Sequence, residues 1–112
     1  MVICTDFDGT LCESKWPDIG KPNRVLMKYL INCRRQGIKV ILWTMREGKL
    51  LDNAVEFCKL YGLEFDAIND NLQEQIQFYG NNPRKIYADW YIDDHNALGI
   101  GRKLPVLKRG RI

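Results

Sequence analysis

Residues 38–43 (IKVILW) constrain the fold of this chain more than any other segment. The run is short, rich in β-branched residues and almost wholly apolar, which is typical of a strand that is covered on both faces in a parallel sheet. On either side of it, apolar residues recur at helical spacing. We therefore predict one helix that opens at Pro22 and stops at Gly37, and a second that runs from Gly48 to Tyr61.

The rest of the chain continues this alternation of strands and helices. Further strands are predicted at residues 2–7, 64–68 and 86–92, with a weaker helix at residues 71–79. The order βαβαβαβ predicts an α/β fold, a three-layer α/β/α Rossmann-like parallel sheet with helices on both faces. Residues 9–21 are interpreted as a polar loop, which is longer than most connections. No insertion is long enough for a cap domain.

Length and composition predict one globular domain over residues 1–112. The chain is long enough for one core and too short for two, and its apolar content of 46% argues against disorder. No apolar run approaches the ~20 residues that cross a bilayer, so no membrane contact is expected. The four cysteines form no CxxC pair, which favours reduced thiols and a cytoplasmic protein. The basic segment 103–112 is interpreted as a mobile tail.

Polar and acidic side chains follow each predicted strand where that strand ends. In chain order they are Asp6 and Asp8, Thr44 and Arg46, Asn69 and Asp70, and Asp93 and Asp94. Because the carboxyl ends of parallel strands meet at one edge of a sheet, these side chains are expected to lie together. So many carboxylates repel each other unless a divalent cation is present, and their oxygens suit Mg²⁺. The sequence therefore predicts a metal and nucleophile site at this edge.

These motifs resemble the haloacid dehalogenase-like superfamily of phosphohydrolases. DFDGT follows the first strand, a threonine ends the second, and the acidic pair of YIDDHN ends the last. The stretches PDIGKPN, LWTMREGKLLDNAVEFC and ADWYIDDHN are similar to those of a small branch without a cap domain. The resemblance extends over residues 1–98 and implies the same fold that the periodicity predicts.

The resemblance also implies a role for each residue of the site. Asp6 would be the nucleophile that forms an aspartyl-phosphate, and Asp8 would protonate the leaving oxygen and later deprotonate the attacking water. Mg²⁺ would be held by Asp6, the carbonyl oxygen of Asp8, and Asp93, with Asp94 supporting these ligands. Thr44 would donate a hydrogen bond to a phosphoryl oxygen.

Two residues remain candidates for the phosphate-binding cation. The superfamily pattern has a lysine, and Lys85 is the nearest candidate, but it precedes Asp93 by eight residues, roughly 26 Å if all are extended. Arg46 lies two residues after Thr44, and its guanidinium fork suits phosphate, so it is preferred. By the same measure Asp89 would lie about 13 Å from the metal and receives no role.

The predicted function is an Mg²⁺-dependent phosphomonoesterase that acts through an aspartyl-phosphate. The alternative is a receiver-like or catalytically silent phosphate-binding signalling module. Receivers carry the acidic pair first along the chain, whereas here DFDGT comes first and the acidic pair last. Substrates are expected among sugar phosphates and nucleotides, with nucleic-acid ends still open. A homo-oligomer is a further expectation, because no cap would cover the site.

Overall fold

The protein is represented by a computed structural model, which describes residues 1–82 and 86–93. The described residues form β1 (Val2–Thr5), β2 (Cys12–Lys15), β3 (Asp18–Pro22), α1 (Arg24–Arg35), β4 (Lys39–Leu42), α2 (Gly48–Leu60), β5 (Ala67–Ile68), α3 (Gln73–Tyr79) and β6 (Trp90–Ile92). The predicted basic tail lies outside the described residues.

A parallel four-stranded sheet, in the order β5-β4-β1-β6, forms the centre of the fold. Cys4 of β1 lies opposite Ile41 of β4 and Tyr91 of β6. From β1 the chain passes to β4 and then β5 on one side, before it crosses to β6 on the other side. In open sheets of this kind ligands bind where the strand order reverses, outside the carboxyl ends of the strands. That crevice lies between the ends of β1 and β6.

Each face of the sheet carries its own hydrophobic cluster. On one face, Ile3 and Val40 pack with buried residues of α1 and α2, including Leu30 and Cys58. On the other face, Val2, Cys4 and Ile41 pack with Leu72, Ile86 and Ala88. Neighbouring residues of a strand belong to different clusters because successive side chains point to opposite faces. The α/β sheet with both faces covered is therefore confirmed.

The first helix begins slightly later than predicted. Asn23 is its N-cap, and the Asn23 side chain accepts a hydrogen bond from the Leu26 N–H at 3.2 Å. Pro22 belongs to β3, so the prediction that it opens the helix is wrong by two residues. Asn is among the preferred N-cap residues, and its side chain decides the boundary here.

The last strand, β6, is shorter than predicted, because a side chain takes over backbone hydrogen bonds before its start. The Tyr91 hydroxyl donates to the Ile86 carbonyl at 2.6 Å and accepts from the Ala88 N–H at 3.0 Å. Strand pairing of β6 with β1 starts only at Trp90, which lies opposite Ile3. The predicted strand 86–92 is thus reduced to three residues.

Residues 9–21 were predicted to be a loop, and this prediction is wrong. β2 and β3 form an antiparallel hairpin, in which Ser14 lies opposite Ile19 and Lys15 lies opposite Asp18. The peptide bond between Trp16 and Pro17, in the turn of this hairpin, is cis. Both strands are short, with most of their residues exposed or only half-buried, and they lack the apolar alternation by which a strand is recognised.

Two further predictions can be compared with the structure. All four cysteines are buried and unpaired, as expected for reduced thiols. Among the described residues, no helix has the length and apolar character required to cross a membrane.

Candidate functional site

A cleft of about 260 Å³ opens at the carboxyl edge of the sheet, at the reversal of strand order. Asp6, which follows β1, and Asp93, which follows β6, both line it, together with Thr44. The Asp6 N–H donates to the Ile92 carbonyl at 2.8 Å, which ties the two strand ends together. The structure thus brings three of the predicted site residues to one place.

The loop after Asp6 holds that carboxylate in a fixed direction. Its Oδ1 accepts a hydrogen bond from the N–H of the next residue, Phe7, at 2.7 Å. Gly9 then adopts a φ of 78°, a left-handed conformation that glycine tolerates without steric cost. The Leu11 N–H returns to the Phe7 carbonyl at 2.9 Å, so the chain turns sharply just beyond the two aspartates.

The Asp8 carboxylate is bound by Arg46 and is not among the groups that line the cleft. The Arg46 Nε–H donates to Oδ2 and an Nη2–H donates to Oδ1, both at 2.8 Å. This bidentate hydrogen bonding raises the pKa of Arg46 against the opposite effect of burial. The two residues therefore form a charge-assisted fork of the strongest kind.

The remaining N–H groups of Arg46 also have acceptors within the protein. Nη1 donates to the carbonyls of Pro17 at 3.2 Å and Leu50 at 3.4 Å, and Nη2 donates to the carbonyl of Asp18 at 3.0 Å. A guanidinium has five N–H groups, so every one of them has a partner. The prediction that Arg46 is the phosphate-binding cation does not agree with this arrangement, because the Asp8 carboxylate and three carbonyls already use its donors.

Arg46 also lies between two aromatic rings. Its guanidinium carbon is 5.1 Å from the ring centroid of Phe7 and 5.1 Å from that of Trp16. Both contacts are within the range of cation–π interactions. Arg46 itself is only 1% exposed, whereas Trp16, in the turn of the hairpin, is 57% exposed. The hairpin thus covers a charged residue that would otherwise be open to water.

Thr44 is held at the cleft by its neighbours on both sides. Its N–H donates to the Asn69 side chain at 2.7 Å, and its Oγ1 accepts from the Arg46 N–H at 3.1 Å. Asn69 has a φ of 51°, a conformation that Asn adopts more readily than most residues. With Oγ1 oriented in this way, the Thr44 hydroxyl can donate its proton to an oxygen bound in the cleft. Sequence reasoning placed Asn69 at the strand end but missed this positioning role.

Fewer acidic side chains meet at this edge in the structure than the sequence predicts. Across residues 1–82 and 86–93, no group of three or more His, Cys, Asp or Glu side chains could hold a metal. Asp70 points into a turn, where its Oδ1 accepts from the Asn71 N–H and the Asn82 amide. Asp6 and Asp93 remain in the cleft. Mg²⁺ is commonly bound by one or two carboxylates with substrate and water, so these oxygens fit that ion.

Two predicted site residues, Lys85 and Asp94, lie outside the described residues. The sequence argument against Lys85 assumed an extended run from residue 86 onward, and β6 starts only at Trp90, so that distance no longer applies. Asp89 is at the other end of the strand, where its Oδ2 accepts from the Val2 N–H at 2.7 Å. Its exclusion from the site agrees with this position.

Apolar side chains form much of the cleft wall. Sequence reasoning missed Trp43 and Met45 and interpreted Tyr91 as a packing residue. Trp43 and Tyr91 lie with their ring centroids 6.2 Å apart, and Met45 is 96% exposed beside them. Trp43 and Met45 flank Thr44 in the sequence, so their position next to a predicted site residue was the available signal. Together they offer an apolar surface next to the two carboxylates.

Cys4 also lines the cleft but is not suited to nucleophilic chemistry. Burial, with a smaller contribution from the charge of Asp6, raises the pKa of the Cys4 thiol to about 12. A thiol is a nucleophile only as the thiolate, so Cys4 remains an inert, protonated part of the wall at neutral pH.

Comparison with known proteins gives one informative match. No protein-family model matches the chain, and no curated protein matches it. The chain is similar to a solved structure, described as that of a conserved protein from Bacteroides thetaiotaomicron, with 42% sequence identity and a TM-score of 0.75. The match covers 89% of this chain and 80% of the other. That description names no activity. The match therefore supports the α/β fold, and any argument about activity has to come from the residues of the cleft.

Proposed function

We propose that this chain, which belongs to the family of the conserved Bacteroides thetaiotaomicron protein, is an Mg²⁺-dependent phosphomonoesterase of the haloacid dehalogenase-like type. The observation that carries the proposal is the meeting of Asp6 and Asp93 in one cleft at the reversal of strand order, with Thr44 at the same cleft. This arrangement suits phosphoryl transfer, because it places a nucleophile, a second carboxylate and a hydroxyl donor at the edge where such sheets bind ligands.

Asp6 is the proposed nucleophile. One carboxylate oxygen attacks the phosphorus of the monoester, a P–O bond to Asp6 forms, and the bond to the leaving oxygen breaks. The Phe7 N–H holds Oδ1 of Asp6, which fixes the direction of the carboxylate before substrate binds. Water then attacks the aspartyl-phosphate, releases inorganic phosphate and restores the carboxylate.

Asp8 is the proposed acid and base of these two steps. It gives a proton to the leaving oxygen in the first step and takes one from the attacking water in the second. Each of its oxygens accepts one N–H from Arg46, and a carboxylate oxygen has a further lone pair for a proton. The fork therefore orients Asp8 without using up its capacity to carry a proton.

The proposed metal ligands are Asp6, the carbonyl oxygen of Asp8, and Asp93. When bound, Mg²⁺ supplies positive charge that screens the anionic phosphate from the anionic nucleophile. Thr44 donates its hydroxyl proton to a phosphoryl oxygen. The buried thiols are suited to the reducing cytoplasm, which is the proposed location.

The cleft wall favours a substrate with an aromatic or apolar part. Trp43, Met45 and Tyr91 offer stacking and apolar contact, which a nucleotide base uses better than a sugar does. Nucleotides, including terminal phosphates of oligonucleotides, are therefore preferred over sugar phosphates in this proposal.

One observation favours a second candidate, a receiver-like or catalytically silent phosphate-binding module. Asp8 is bound by Arg46 and is absent from the cleft lining, which would suit a protein that accepts or binds phosphate without rapid turnover. The two candidates differ in whether phosphate is released repeatedly.

Phosphate release from a panel of monoesters tests the proposal. The purified chain would be assayed with Mg²⁺ or with excess chelator, on nucleotides, sugar phosphates, an aryl phosphate and oligonucleotides with terminal phosphates. We expect many turnovers per molecule with Mg²⁺ and none with chelator or in Asp6→Asn. Phosphate uptake limited to one equivalent per chain would favour the signalling module instead.

A further inference from the structure

We infer that Arg46 is a positioning residue that links the Asp8 carboxylate to the tip of the β2–β3 hairpin, so that neither group moves independently of the other. The hairpin tip is defined here as residues 16–18. The part of this inference that concerns Asp8 in catalysis rests on the proposed function. The link itself rests only on the contacts of Arg46.

A single guanidinium serves both groups. Its Nη2 donates to Oδ1 of Asp8 at 2.8 Å and also to the Asp18 carbonyl at 3.0 Å. Its Nη1 donates to the Pro17 carbonyl at 3.2 Å. Because a guanidinium is planar and rigid, any rotation that follows the hairpin tip also displaces the bonds to Asp8.

Burial gives this link its stiffness. The Arg46 side chain has no exposed surface, whereas the Asp8 side chain is 23% exposed. A buried cation that loses its acceptors retains the full cost of its desolvation, so the arrangement in which all five N–H groups are bound is strongly preferred. The Asp8 carboxylate, by contrast, is partly open to water.

The two aromatic rings limit movement of the guanidinium in the remaining direction. Phe7 lies between Asp6 and Asp8 in the chain, and its ring is fully buried. Trp16 belongs to the hairpin tip, and its ring centroid is 5.1 Å from the guanidinium carbon. Arg46 is thus held between the loop that carries Asp6 and Asp8 and the hairpin tip, the two parts that it is proposed to link.

The consequence concerns the second chemical step. A general base must lie within hydrogen-bond reach of the water that it activates, and a displacement of about 1 Å can reduce the rate by about 100-fold. A fixed hairpin tip keeps Asp8 in place through Arg46. A ligand or partner that displaces the tip would slow the water step without touching Asp6.

The test compares Arg46→Met with Arg46→Lys and with the matched control Arg34→Met. Arg34 binds Asp66 through the same fork, Nε to Oδ2 at 3.1 Å and Nη2 to Oδ1 at 3.0 Å, but is not among the residues lining the cleft. With p-nitrophenyl phosphate, the pre-steady-state burst of nitrophenol reports phosphorylation of Asp6, which needs little acid help. The steady-state rate reports hydrolysis of the aspartyl-phosphate.

We expect Arg46→Met to retain a burst within about threefold of the wild-type rate, and to lose about 10- to 100-fold in the steady-state rate. Arg46→Lys, which keeps the charge but not the fork, should lose less. Arg34→Met should leave the ratio of the two rates unchanged. An equal loss of the burst rate and the steady-state rate in both Arg46 variants would overturn the inference. It would favour a role for Arg46 in phosphate binding instead.

A second measurement does not depend on activity. Amide hydrogen exchange of residues 12–22 should accelerate in Arg46→Met and, to a smaller extent, in Arg46→Lys, and remain unchanged in Arg34→Met. If Arg46→Met does not fold, Arg46→Lys carries both measurements. Unchanged exchange in a folded Arg46 variant would overturn the link. A wild-type protein without phosphatase activity would refute the proposed function, and hairpin exchange alone would then decide the link.

Discussion

Asp6 and Asp89 mark opposite ends of the pair of strands β1 and β6. The Asp6 N–H donates to the Ile92 carbonyl at 2.8 Å at the carboxyl end, and the Asp89 side chain accepts from the Val2 N–H at 2.7 Å at the other end. Only the first of these aspartates is therefore near Asp93 and the cleft. Asp89 can therefore serve as a matched control for Asp93, the proposed metal ligand that follows the same short strand.

We predict that Asp93→Asn weakens Mg²⁺ binding, because a neutral amide replaces one of the two carboxylates in the cleft. Loss of one such ligand should raise the Mg²⁺ concentration for half-maximal activity by about tenfold or more. Magnesium titration of phosphate release, supported by calorimetry without substrate, measures the change.

Asp89→Asn is the control for that titration. It should reduce stability, since its Oδ2 binds the Val2 N–H and its Oδ1 binds the Tyr87 hydroxyl, yet it should leave the Mg²⁺ requirement unchanged. If Asp89→Asn raised the Mg²⁺ requirement more than Asp93→Asn did, the metal site would lie elsewhere.

Met45 should influence substrate affinity without influencing chemistry. Its side chain is 96% exposed at the cleft, so contact with a bound ligand would remove apolar surface from water. Met45→Ser should raise KM for an aryl phosphate by about 3- to 10-fold, equivalent to roughly 1 kcal/mol of apolar contact, with kcat little changed.

Val25→Ser provides a comparison for this effect, since Val25 is 84% exposed on α1 and does not line the cleft. It should leave KM unchanged. A small alkyl phosphate should be insensitive to both substitutions, and an equal response of aryl and alkyl substrates to Met45→Ser would rule out apolar recognition by this residue.

The pair formed by Arg34 and Asp66 should make stability depend on acid pH. Burial alone would raise the pKa of Asp66, but hydrogen bonds from Arg34 and the Val40 N–H together lower it below the ordinary value of 3.8. A lowered folded pKa stabilises the protein above that ordinary value, and this stabilisation is lost as the pH falls through the folded pKa.

Asp66→Asn should therefore lower the free energy of unfolding by about 1–3 kcal/mol at pH 7. The difference from the wild type should shrink below about pH 4. Urea titrations at several pH values measure it, and a difference that stays constant down to pH 2 would contradict the lowered pKa.

The sheet, and the edge at which Asp6 and Asp93 meet, could be predicted from the sequence because they depend on local patterns. The apolar run of residues 38–43 indicates a strand with both faces covered, and its neighbours in the sheet follow from the alternation with helices. Asp6 and Asp93 could be assigned to one edge because each directly follows a strand. No contact between distant residues was needed for these predictions.

The surroundings of Asp8 could not be predicted in this way. Arg46 is 38 residues away along the chain, and its choice between a substrate phosphate and the Asp8 carboxylate depends on the packed structure. The hairpin of residues 12–22 was missed for a related reason. Its strands are polar, and the contacts of its tip with Arg46 arise only in the folded protein.

The central claim is that Asp6 carries the phosphoryl group and Asp8 supports its removal. With an activated aryl phosphate, the first step scarcely needs an acid, whereas the water step still needs its base. Asp8→Asn should therefore accumulate an aspartyl-phosphate, and Asp6→Asn, which lacks the attacking oxygen, should never form one.

Rapid quench in acid, followed by intact mass measurement, detects this species directly. The account predicts one added phosphoryl group on the Asp8→Asn protein, located on Asp6 by peptide mapping, and none on the Asp6→Asn protein. A phosphoryl group on the Asp6→Asn protein, or full activity in both variants, would contradict it.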